Sequence, residues 1–530
     1  MNNPPKIPVK ATAGKIVRKL LFVTACVATL VALFYAEEDW RGKHAWESYL
    51  VESKAKGVDL DWRHFIPAPV PDSQNFGALP LFKPFFEYTY APDGQVHWAD
   101  TNADSKWTNF SLEIGNEHIP ELGAWSSGLP VNLTEWQIYF RGTNFPPGTV
   151  PRSLVKKFAQ SPTIHWPMSA LPQAPAADVL LALTRFDSNI EQVRAGSSRP
   201  YSVFPIHYDE LPKALLAHEA LLIHISRILE LRADAELESG RNGDAVADLR
   251  LAAYIADANK SEPILIAMIV RAREINQNLQ PIWEGLRAHK WTESDLWEIQ
   301  QMLASYDLLS DYERSLKADP AGLAAWINAI PDDPAFYYLG AEFGRPNIYI
   351  PQALLGCVPR GWFYQNALAI GHFYQDRMLS DVNQEKQEAY PDNSKSNKDL
   401  IDALPIGPYT FAFKQEELIF SPQKIIRAQT GVNLARIACG LERWRLVHGK
   451  YPDTLEALVP ADLDKLPHDL IGGEPLKYRL KPDGNFLLYS IGWNEKDDGG
   501  AYPGPDINLH GMADWGYQPE SGDWVWQYTN

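Results

Sequence analysis

The sequence predicts a predominantly helical α+β protein that begins with a transmembrane helix and ends in a helix followed by a β-hairpin. Three observations support this fold class. An apolar run lies near the N-terminus, apolar residues recur at helical spacing from about residue 177 onward, and two strand-like runs flank a Pro-Asp-Gly turn near the C-terminus. A chain of 530 residues is too long for one hydrophobic core, so several domains are expected.

The N-terminus predicts a membrane anchor. Residues 1–19 form a basic cytoplasmic tail, residues 20–36 form an apolar run, and three acidic residues follow at once. A run of this length fits either a short membrane span or the core of a signal peptide. Phe34 stands where a cleavage site that includes Ala36 needs a small residue, so we expect an uncleaved signal-anchor with the body outside.

The body of the chain is acidic. Five of the 49 basic residues and none of the 66 acidic residues precede Glu37, so everything after the anchor is more negative than the net charge of −17 indicates. Such a body repels nucleic acid and anionic lipid. We expect no nucleic-acid partner, and we expect membrane contact through residues 20–36.

Two segments are predicted between the anchor and residue 175. Residues 37–81 combine a juxtamembrane helix with a proline-rich stretch. The helix carries aromatic residues that suit either the bilayer interface or packing on the protein's own body, namely Trp40, Trp46 and Tyr49. Residues 82–175 predict a loop-rich domain that contains strands, for example over 135–140.

Residues 176–317 predict a helical array. Helices are expected over 211–238, 262–286 and 294–317. One stretch matches the turn and the small packing positions of a single tetratricopeptide-like unit, at Gly240, Ala245 and Ala252, although no second copy follows. The array is therefore predicted to be repeat-like without belonging to a named repeat class.

Residues 318–422 predict an irregular and partly helical connector rich in Pro, Gly and aromatic residues. Its polar patch over 383–399 is predicted to be an exposed loop. Cys357 in this connector and the later Cys439 are expected to be two buried free thiols, with a disulfide between them as the alternative.

Residues 423–530 form the C-terminal module. Its first helix carries one apolar stripe, formed by Leu434, Ile437, Ala438, Leu441 and Trp444. Gly449 and Pro452 then stop the helix, and Asp453 is expected to cap a short second helix. Two strand-like runs follow on either side of the Pro-Asp-Gly turn, over 476–481 and 485–491.

Several short stretches of this module share their sequence pattern with one family, over 441–446, 448–452, 455–458, 465–467 and 489–492. Together they resemble the C-terminal part of the major pseudopilins of bacterial type II secretion, over about one hundred residues. A pseudopilin has Glu at the fifth place after its cleavage glycine, whereas Lys19 is the fifth residue after Gly14 here. We therefore expect no pilin-like processing or polymerisation.

The resemblance implies a calcium site in the loop after the hairpin, with Asp497, Asp498 and Asp506 as the matching acidic ligands. The loop itself supports this, because it places carboxylates and flexible backbone beside the end of a strand. Calcium takes six to eight oxygen ligands and tolerates irregular geometry. The alternative is that these acids are solvated residues of a turn.

The proline-rich stretch over 61–76 is similar to an N-terminal signature of large membrane-anchored bacterial envelope proteins of unassigned function. That resemblance implies an architecture rather than an activity. We expect the anchor in the inner (cytoplasmic) membrane, and the charges on its two flanks predict the N-terminus in the cytoplasm and the body in the periplasm.

No motif in the sequence predicts a catalytic centre. His218-Glu219 followed by His224 suggests a zinc protease, but the second histidine would have to stand one helical turn after the first, where Leu222 lies. Both histidines are therefore expected to be satisfied or to face solvent. Asp209 is expected to cap a helix, and no GxSxG, GxxxxGK or GxGxxG motif occurs.

The leading hypothesis is a single-pass envelope protein that acts as an interaction or assembly component, with protein partners in the envelope. The alternative is an envelope-facing hydrolase whose site lies in the loop-rich domain. The two differ in one structural expectation. A hydrolase would gather His165, Asp187, His207 and Asp209 around one pocket.

Overall fold

The computed structural model describes residues 9–90, 96–103, 110–113, 119–145, 153, 165–208, 214–332, 352–412, 422–501 and 522–528. Over these residues the protein is mostly helical and has small antiparallel sheets, as predicted. The chain divides into two units. The anchor unit comprises residues 1–62, 320–373 and 403–418, and the main unit comprises residues 63–319, 374–402 and 419–530.

The α-helices are numbered in chain order. They are α1 (Val9–Ala55), α2 (Leu133–Arg141), α3 (Pro175–Leu183), α4 (Asp187–Gly196), α5 (Ala217–Glu238), α6 (Asn242–Asp257), α7 (Leu265–Arg287), α8 (Glu293–Ala304), α9 (Leu308–Ala329), α10 (Gln352–Leu355), α11 (Arg360–Asp376), α12 (Pro391–Ala403) and α13 (Pro422–His448).

The strands form three small antiparallel sheets within the described residues. The first pairs β1 (Tyr88–Tyr90) with β2 (Val96–Trp98), and the second pairs β3 (Val382–Asn383) with β4 (Glu388–Ala389). The third has the order β5 (Lys477–Leu480), β6 (Phe486–Ser490) and β7 (Trp524–Gln527).

In the anchor unit, α1 is one continuous helix that contains the apolar run, the acidic residues after it and the juxtamembrane segment. The part from Gly14 onward is long and apolar enough to cross a membrane, and none of its apolar stretch is buried within the protein. The aromatic residues after that stretch differ in their exposure to solvent. Trp40 is exposed, whereas Trp46 and Tyr49 are buried and pack on the body.

Helix α11 packs tightly on the part of α1 that follows the apolar run. The two helices approach most closely at Gly42 and Gly361, where a Cβ atom on either residue would overlap backbone atoms of the other helix. The amide of Gly361 donates a hydrogen bond to Asp39 Oδ1 (2.8 Å). Glu38 accepts hydrogen bonds from the indole of Trp362 (2.8 Å) and from the hydroxyl of Tyr409 (3.0 Å). This contact depends on glycine because backbones can approach so closely only where side chains are absent.

In the main unit, the predicted helical array is present. Helix α5 packs against α6 and α7, while α13 packs against α7 and α8. Gly240 lies in the turn between α5 and α6 with a positive φ of 73°, and Ala245 and Ala252 are buried, so these three residues take the turn and packing positions expected of them.

An aromatic core joins the early part of the main unit to the array. Phe76 packs against Phe82 (ring centroids 5.2 Å apart), and Phe82 packs against Phe204 at the same distance. The same buried cluster includes Leu221 and Ile225 of α5. Residues from both sides of the predicted boundary at 175 thus share one hydrophobic core.

The C-terminal module has the predicted helix, short helix and hairpin. Leu434, Ile437, Ala438 and Leu441 are fully buried, and α13 ends at His448 just before Gly449. The hairpin pairs β5 with β6 in the register Lys477↔Tyr489 to Leu480↔Phe486. A third strand, β7, was not predicted. It pairs with β6, and Trp283 donates its indole N–H to the carbonyl of Gln527 (3.0 Å).

The strand predicted over 135–140 is wrong, because these residues belong to α2. Asn132 caps that helix by accepting a hydrogen bond from the amide of Glu135 (3.1 Å). Trp136, Ile138, Tyr139 and Phe140 are all buried. A short helix buried on most of its faces shows no clear helical period, so the apolar alternation was misleading.

The loop predicted over 383–399 is also wrong, because β3, β4 and the start of α12 lie there. Pro391 is the first residue of α12, a position that favours proline. Asn397 is buried and donates a hydrogen bond to Asp381 Oδ1 (2.8 Å). A polar segment is ordered here by side-chain hydrogen bonds that composition does not show.

Three other predictions in the main unit differ from the structure in where a helix begins or ends. The helix predicted over 294–317 is two helices, because Asp307 caps α9 by accepting hydrogen bonds from the amide (3.1 Å) and the hydroxyl (2.6 Å) of Ser310. The helix predicted from residue 211 starts at Ala217. The short helix after α13 is a 3-10 helix, Leu455–Leu458, whose N-cap residue is Thr454 rather than Asp453.

The cysteine prediction is half right. Neither Cys357 nor Cys439 forms a disulfide, but only Cys439 is buried, while Cys357 is exposed. Cys357 follows the short helix α10, whose Leu354 is also exposed.

Candidate functional site

Two of the three predicted calcium ligands, Asp497 and Asp498, lie in the acidic loop after β6, while Asp506 lies outside the described residues. Asp497 Oδ1 accepts hydrogen bonds from the hydroxyl of Tyr489 (3.0 Å) and from the amide of Gly499 (3.0 Å). Asp498 Oδ2 accepts one from the amide group of Asn494 (2.9 Å). The loop therefore orients its own carboxylates. A calcium ion in this loop stays a prediction.

A further carboxylate at this loop comes from Asp523, just before β7. It is buried and accepts hydrogen bonds from the backbone amides of Asp498 (3.2 Å) and Gly500 (2.6 Å). Burial raises the pKa of Asp523, and the negative charges of Asp498 and Asp497 raise it further. Sequence reasoning missed this residue because it lies after a long intervening segment.

Of the four residues whose clustering would indicate a hydrolase, the three described ones lie in different surroundings. His165 is exposed, and Asp187 forms an ion pair with Arg232 (3.5 Å). His207 stacks on Tyr88 (4.8 Å between ring centroids), and its Nε2 contacts the carbonyl of Phe86 (3.2 Å). Asp209 lies outside the described residues. These three described residues do not gather into one site.

A different cluster lies in the interior of the main unit. Within the described part of the chain, the only group of three or more His, Cys, Asp or Glu residues whose ligand atoms all lie within 4.8 Å of one another is His218, Glu219 and Glu262. We call this group the His218 cluster. His218 and Glu219 begin helix α5, and Glu262 lies in the loop between α6 and α7.

The His218 cluster is compact and buried. Nε2 of His218 lies 2.7 Å from Oε1 of Glu262 and 3.7 Å from Oε1 of Glu219. The exposed fractions of the three residues are 0%, 5% and 6% for His218, Glu219 and Glu262. All three side chains are therefore withdrawn from water.

Aromatic packing and an amide group hold the cluster in place. The imidazole of His218 lies beside the rings of Phe204 (4.4 Å) and Phe86 (5.3 Å), so it cannot turn freely. Asn259 donates hydrogen bonds from its Nδ2 to Oε2 of Glu219 (2.7 Å) and to the carbonyl of Ala267 (3.1 Å). The amide of Glu262 donates to the carbonyl of Asn259 (2.9 Å), which shapes the loop.

Burial dominates the electrostatics of the cluster. It lowers the pKa of His218 to about 4 and raises the pKa of Glu262 to about 8. It also raises the pKa of Glu219 to about 8, with a contribution from the charge of Glu262. The neighbouring Glu274 is fully buried, and burial followed by the charge of Glu219 raises its pKa as well. Buried carboxyl groups packed this closely must either keep their protons or bind a cation.

The sequence around His218 and Glu219 does not reveal this cluster. A zinc-protease motif needs a second histidine one turn along the same helix, whereas the third member here, Glu262, lies 44 residues after His218. The expectation that His218 is satisfied holds for one ring nitrogen only, because Nδ1 has no hydrogen-bond partner among the described residues. No local pattern connects residue 218 with residue 262.

Helix α5 carries more buried acids beyond the cluster. Glu230 is 4% exposed and Asp234 is 5% exposed. Both carboxylate oxygens of Asp234 lack a hydrogen-bond partner among the described residues, and burial raises the pKa of each residue. The interior of the array is thus unusually acidic for a helical core.

Comparisons of the chain with models of known protein families, with curated proteins and with solved structures find no match.

Proposed function

We propose that this protein is a single-pass membrane protein of the bacterial envelope that acts as an interaction or assembly component. In this proposal residues 20–36 span the inner membrane, the tail lies in the cytoplasm and the body lies in the periplasm. The observation that carries it is helix α1, whose apolar stretch is long enough to cross a membrane and is not buried by the protein. Apolar surface of this extent needs a lipid or protein environment.

The charges at the two ends of the apolar stretch support the proposed orientation. Lys15, Arg18 and Lys19 precede it, and Glu37, Glu38 and Asp39 follow it. Basic residues near a span favour the cytoplasmic side.

Two features support the role in interaction or assembly. Arrays of antiparallel helices present extended surfaces that suit protein partners. The module after α13 supplies the second feature, because we propose that it is pseudopilin-like and joins an envelope assembly. Helix α13 and the antiparallel hairpin of this module support that proposal.

The orientation can be tested with single cysteine reporters. In a background of Cys26→Ser and Cys357→Ser, Asp483→Cys places a reporter in the exposed hairpin turn, and Asn3→Cys places one in the tail. A membrane-impermeant maleimide should label Asp483→Cys in intact spheroplasts and label Asn3→Cys only after lysis. The reverse pattern would overturn the topology, and labelling in a soluble fraction would overturn the anchor.

The interaction role has a separate test. The full chain, crosslinked in intact cells and purified from membranes, should carry the same protein partner at a fixed stoichiometry. The matched control is residues 1–36 fused to an unrelated periplasmic body, which should lose that partner. Recovery of the full chain alone, or of the same partner by the control, would contradict an assembly role for the body.

A further inference from the structure

We propose that His218, Glu219 and Glu262 bind one divalent first-row transition-metal ion in the interior of the main unit. This inference is independent of the proposed envelope role. It rests on the donor atoms, their spacing, the oxygen atoms without partners and the charge balance of the site.

The donor set suits a transition metal better than calcium or magnesium. One imidazole nitrogen and two carboxylate oxygens are ligands that zinc, manganese and iron accept. Calcium and magnesium prefer sites made only of oxygen atoms. The ion expected here is therefore Zn²⁺ or Mn²⁺ rather than the calcium predicted for the acidic loop.

The spacing of the donors is close to what such an ion requires. Metal–ligand distances near 2.1 Å place neighbouring donor atoms about 3.0–3.4 Å apart in octahedral or tetrahedral geometry. In the His218 cluster, the distances from His218 Nε2 are 2.7 Å to Glu262 and 3.7 Å to Glu219. Shifts of well under 1 Å in two flexible glutamate side chains would fit both distances to that range.

Unpartnered buried oxygen atoms point to a ligand independently of the spacing. With both carboxyl groups ionised, Oε1 of Glu219 and Oε2 of Glu262 accept no hydrogen bond within the described residues, although both residues are more than nine-tenths buried. A proton on one carboxyl group would let the two side chains hydrogen-bond to each other. Oδ1 of Asn259, which is 1% exposed, also has none. Buried polar oxygens are nearly always paired, so three such oxygens at one place are suited to share a bound cation.

The charge balance favours a divalent cation. In the described part of the chain, no lysine or arginine forms an ion pair with Glu219 or Glu262, whose ion-pair contacts are with His218. The nearby Arg271 is occupied by Asp257 (2.8 Å) and Asp311 (2.7 Å). Two carboxylates, a neutral imidazole and one divalent ion sum to zero charge, which a buried site can hold at low cost.

The test uses the full chain, purified in detergent without a histidine tag, stripped with a chelator and dialysed against Zn²⁺ or Mn²⁺ in separate samples. Metal content is measured by elemental mass spectrometry, and melting temperature is measured with and without the ion. Glu262→Gln and Glu219→Gln each remove one ligand with little change in volume. Glu230→Gln is the matched control, because it changes a buried acid of the same helix outside the cluster.

One equivalent of metal is expected in the wild type and in Glu230→Gln, together with a raised melting temperature. Both quantities should fall to background in Glu262→Gln and Glu219→Gln. Metal retained by both cluster variants would overturn the site, as would a stripped wild type that takes up neither ion while its circular dichroism stays unchanged.

A spectroscopic arm keeps the proposal testable if the cluster variants fail to fold. Co²⁺ added to the stripped wild type should give ligand-field absorption in the visible range, and Zn²⁺ should abolish it by competition. Co²⁺ that shows only the spectrum of the hydrated ion would overturn the proposal. Absorption that persists in the double variant Asp497→Ala with Asp498→Ala separates this site from the acidic loop, and its loss there would assign the metal to the loop instead.

Discussion

Glu230 shows how one buried acid sets a pH dependence. Burial raises its pKa to about 8, although the positive charges of Arg227 and Arg273 oppose the shift. The folded state therefore holds a proton that the unfolded state, with its ordinary pKa near 4.5, releases. This contribution to stability is complete below pH 4.5 and is lost as the pH rises to about 8.

We therefore expect Glu230→Gln to flatten the dependence of the unfolding free energy on pH. In that window one such group changes it by up to about 1.4 kcal/mol per pH unit. Chemical unfolding of the full chain in detergent at several pH values between 5 and 8 measures the slope. Ser239→Ala, an exposed change just after the same helix that removes no titrating group, is the control. Equal slopes for Glu230→Gln and the wild type would contradict the buried acid.

Leu441 gives a second prediction for a single residue. It is fully buried on α13, whereas Val447 on the same helix is 75% exposed. Leu441→Asp should lower the unfolding free energy by about 3 kcal/mol or more, because a buried carboxylate without a partner is costly. Val447→Asp introduces the same charge at the surface and should change it by less than about 0.5 kcal/mol. Thermal melts that leave both variants alike would show that the stripe is not a packed core.

Neighbouring positions show which residues the sequence could predict. The burial of Leu434 and Leu441 follows from helical spacing, a local property. The burial of Glu442 does not, because it depends in part on a remote partner, His289. Burial alone would raise the pKa of Glu442, but hydrogen bonds from Arg445 and His289 hold it at about 2. His289 lies 153 residues before Glu442. A local sequence pattern cannot predict this contact, just as it cannot predict the contact between His218 and Glu262.

Among the elements, the pair formed by α1 and α11 depends on two glycines. Gly361→Ala should disturb this contact, because its Cβ atom would overlap the carbonyl of Glu38. A loss of about 1–3 kcal/mol is expected, as for other overpacked contacts. Gly14→Ala on α1 is the control, since a Cβ atom there meets nothing within 4 Å. A melting temperature that Gly361→Ala leaves equal to that of Gly14→Ala would contradict the close packing.

The acidic loop after β6 gives a prediction about calcium. If it binds with a dissociation constant of ~10⁻⁴ M, free calcium at ~1 mM should stabilise the full chain by roughly 1.4 kcal/mol. Melting in calcium and then in chelator measures this shift. Asp497→Ala combined with Asp506→Ala should remove it, while Asp483→Ala, in the hairpin turn, should not. Equal melting temperatures in the wild type, or a shift that survives the double change, would exclude the site.

Elements with a strong local signal were predicted, and those specified by remote contacts were not. The hairpin of β5 and β6 follows from its turn residues, and α13 follows from its stripe and its stop at Gly449. By contrast, β7 is specified by pairing with β6 across a long loop. Helix α12 is specified partly by the hydrogen bond from Asn397 to Asp381, which its polar composition does not reveal.

For the whole molecule, the anchor should remain attached. At the end of residues 20–36, Phe34 stands where a cleavage site ending at Ala36 needs a small residue, so a signal peptidase is expected to leave the segment intact. Mass spectrometry of the protein isolated from membranes should find peptides that include Lys15 or Lys19. A mature N-terminus near Glu37 would show that the segment is a cleaved signal. A variant with Phe34→Ala, which creates an Ala-x-Ala sequence ending at Ala36, is the positive control for cleavage.

The broad architecture could be predicted from composition and hydrophobic periodicity, because an apolar run, helical spacing and an acidic body are properties of the chain itself. The packing of its segments against one another could not be predicted in this way. The aromatic core that contains Phe76, Phe204 and Leu221 draws on distant parts of the sequence, and only the folded chain shows that they meet.

If residues 20–36 span the membrane as we propose, the unbroken course of α1 would make the protein sensitive to the thickness of its bilayer. At a rise of about 1.5 Å per residue, the part of the helix beyond residue 36 extends about 28 Å from the end of the apolar run to Ala55. A span that is too long or too short for its bilayer adjusts by tilting, and a tilt of about 10° would swing the far end of this rod by about 5 Å. Because α11 is clamped to the rod at Gly42 and Gly361, it has to follow. In the proposed membrane-anchored state, a change in lipid composition would therefore shift α11 together with α1, because α1 has no break that could absorb the tilt.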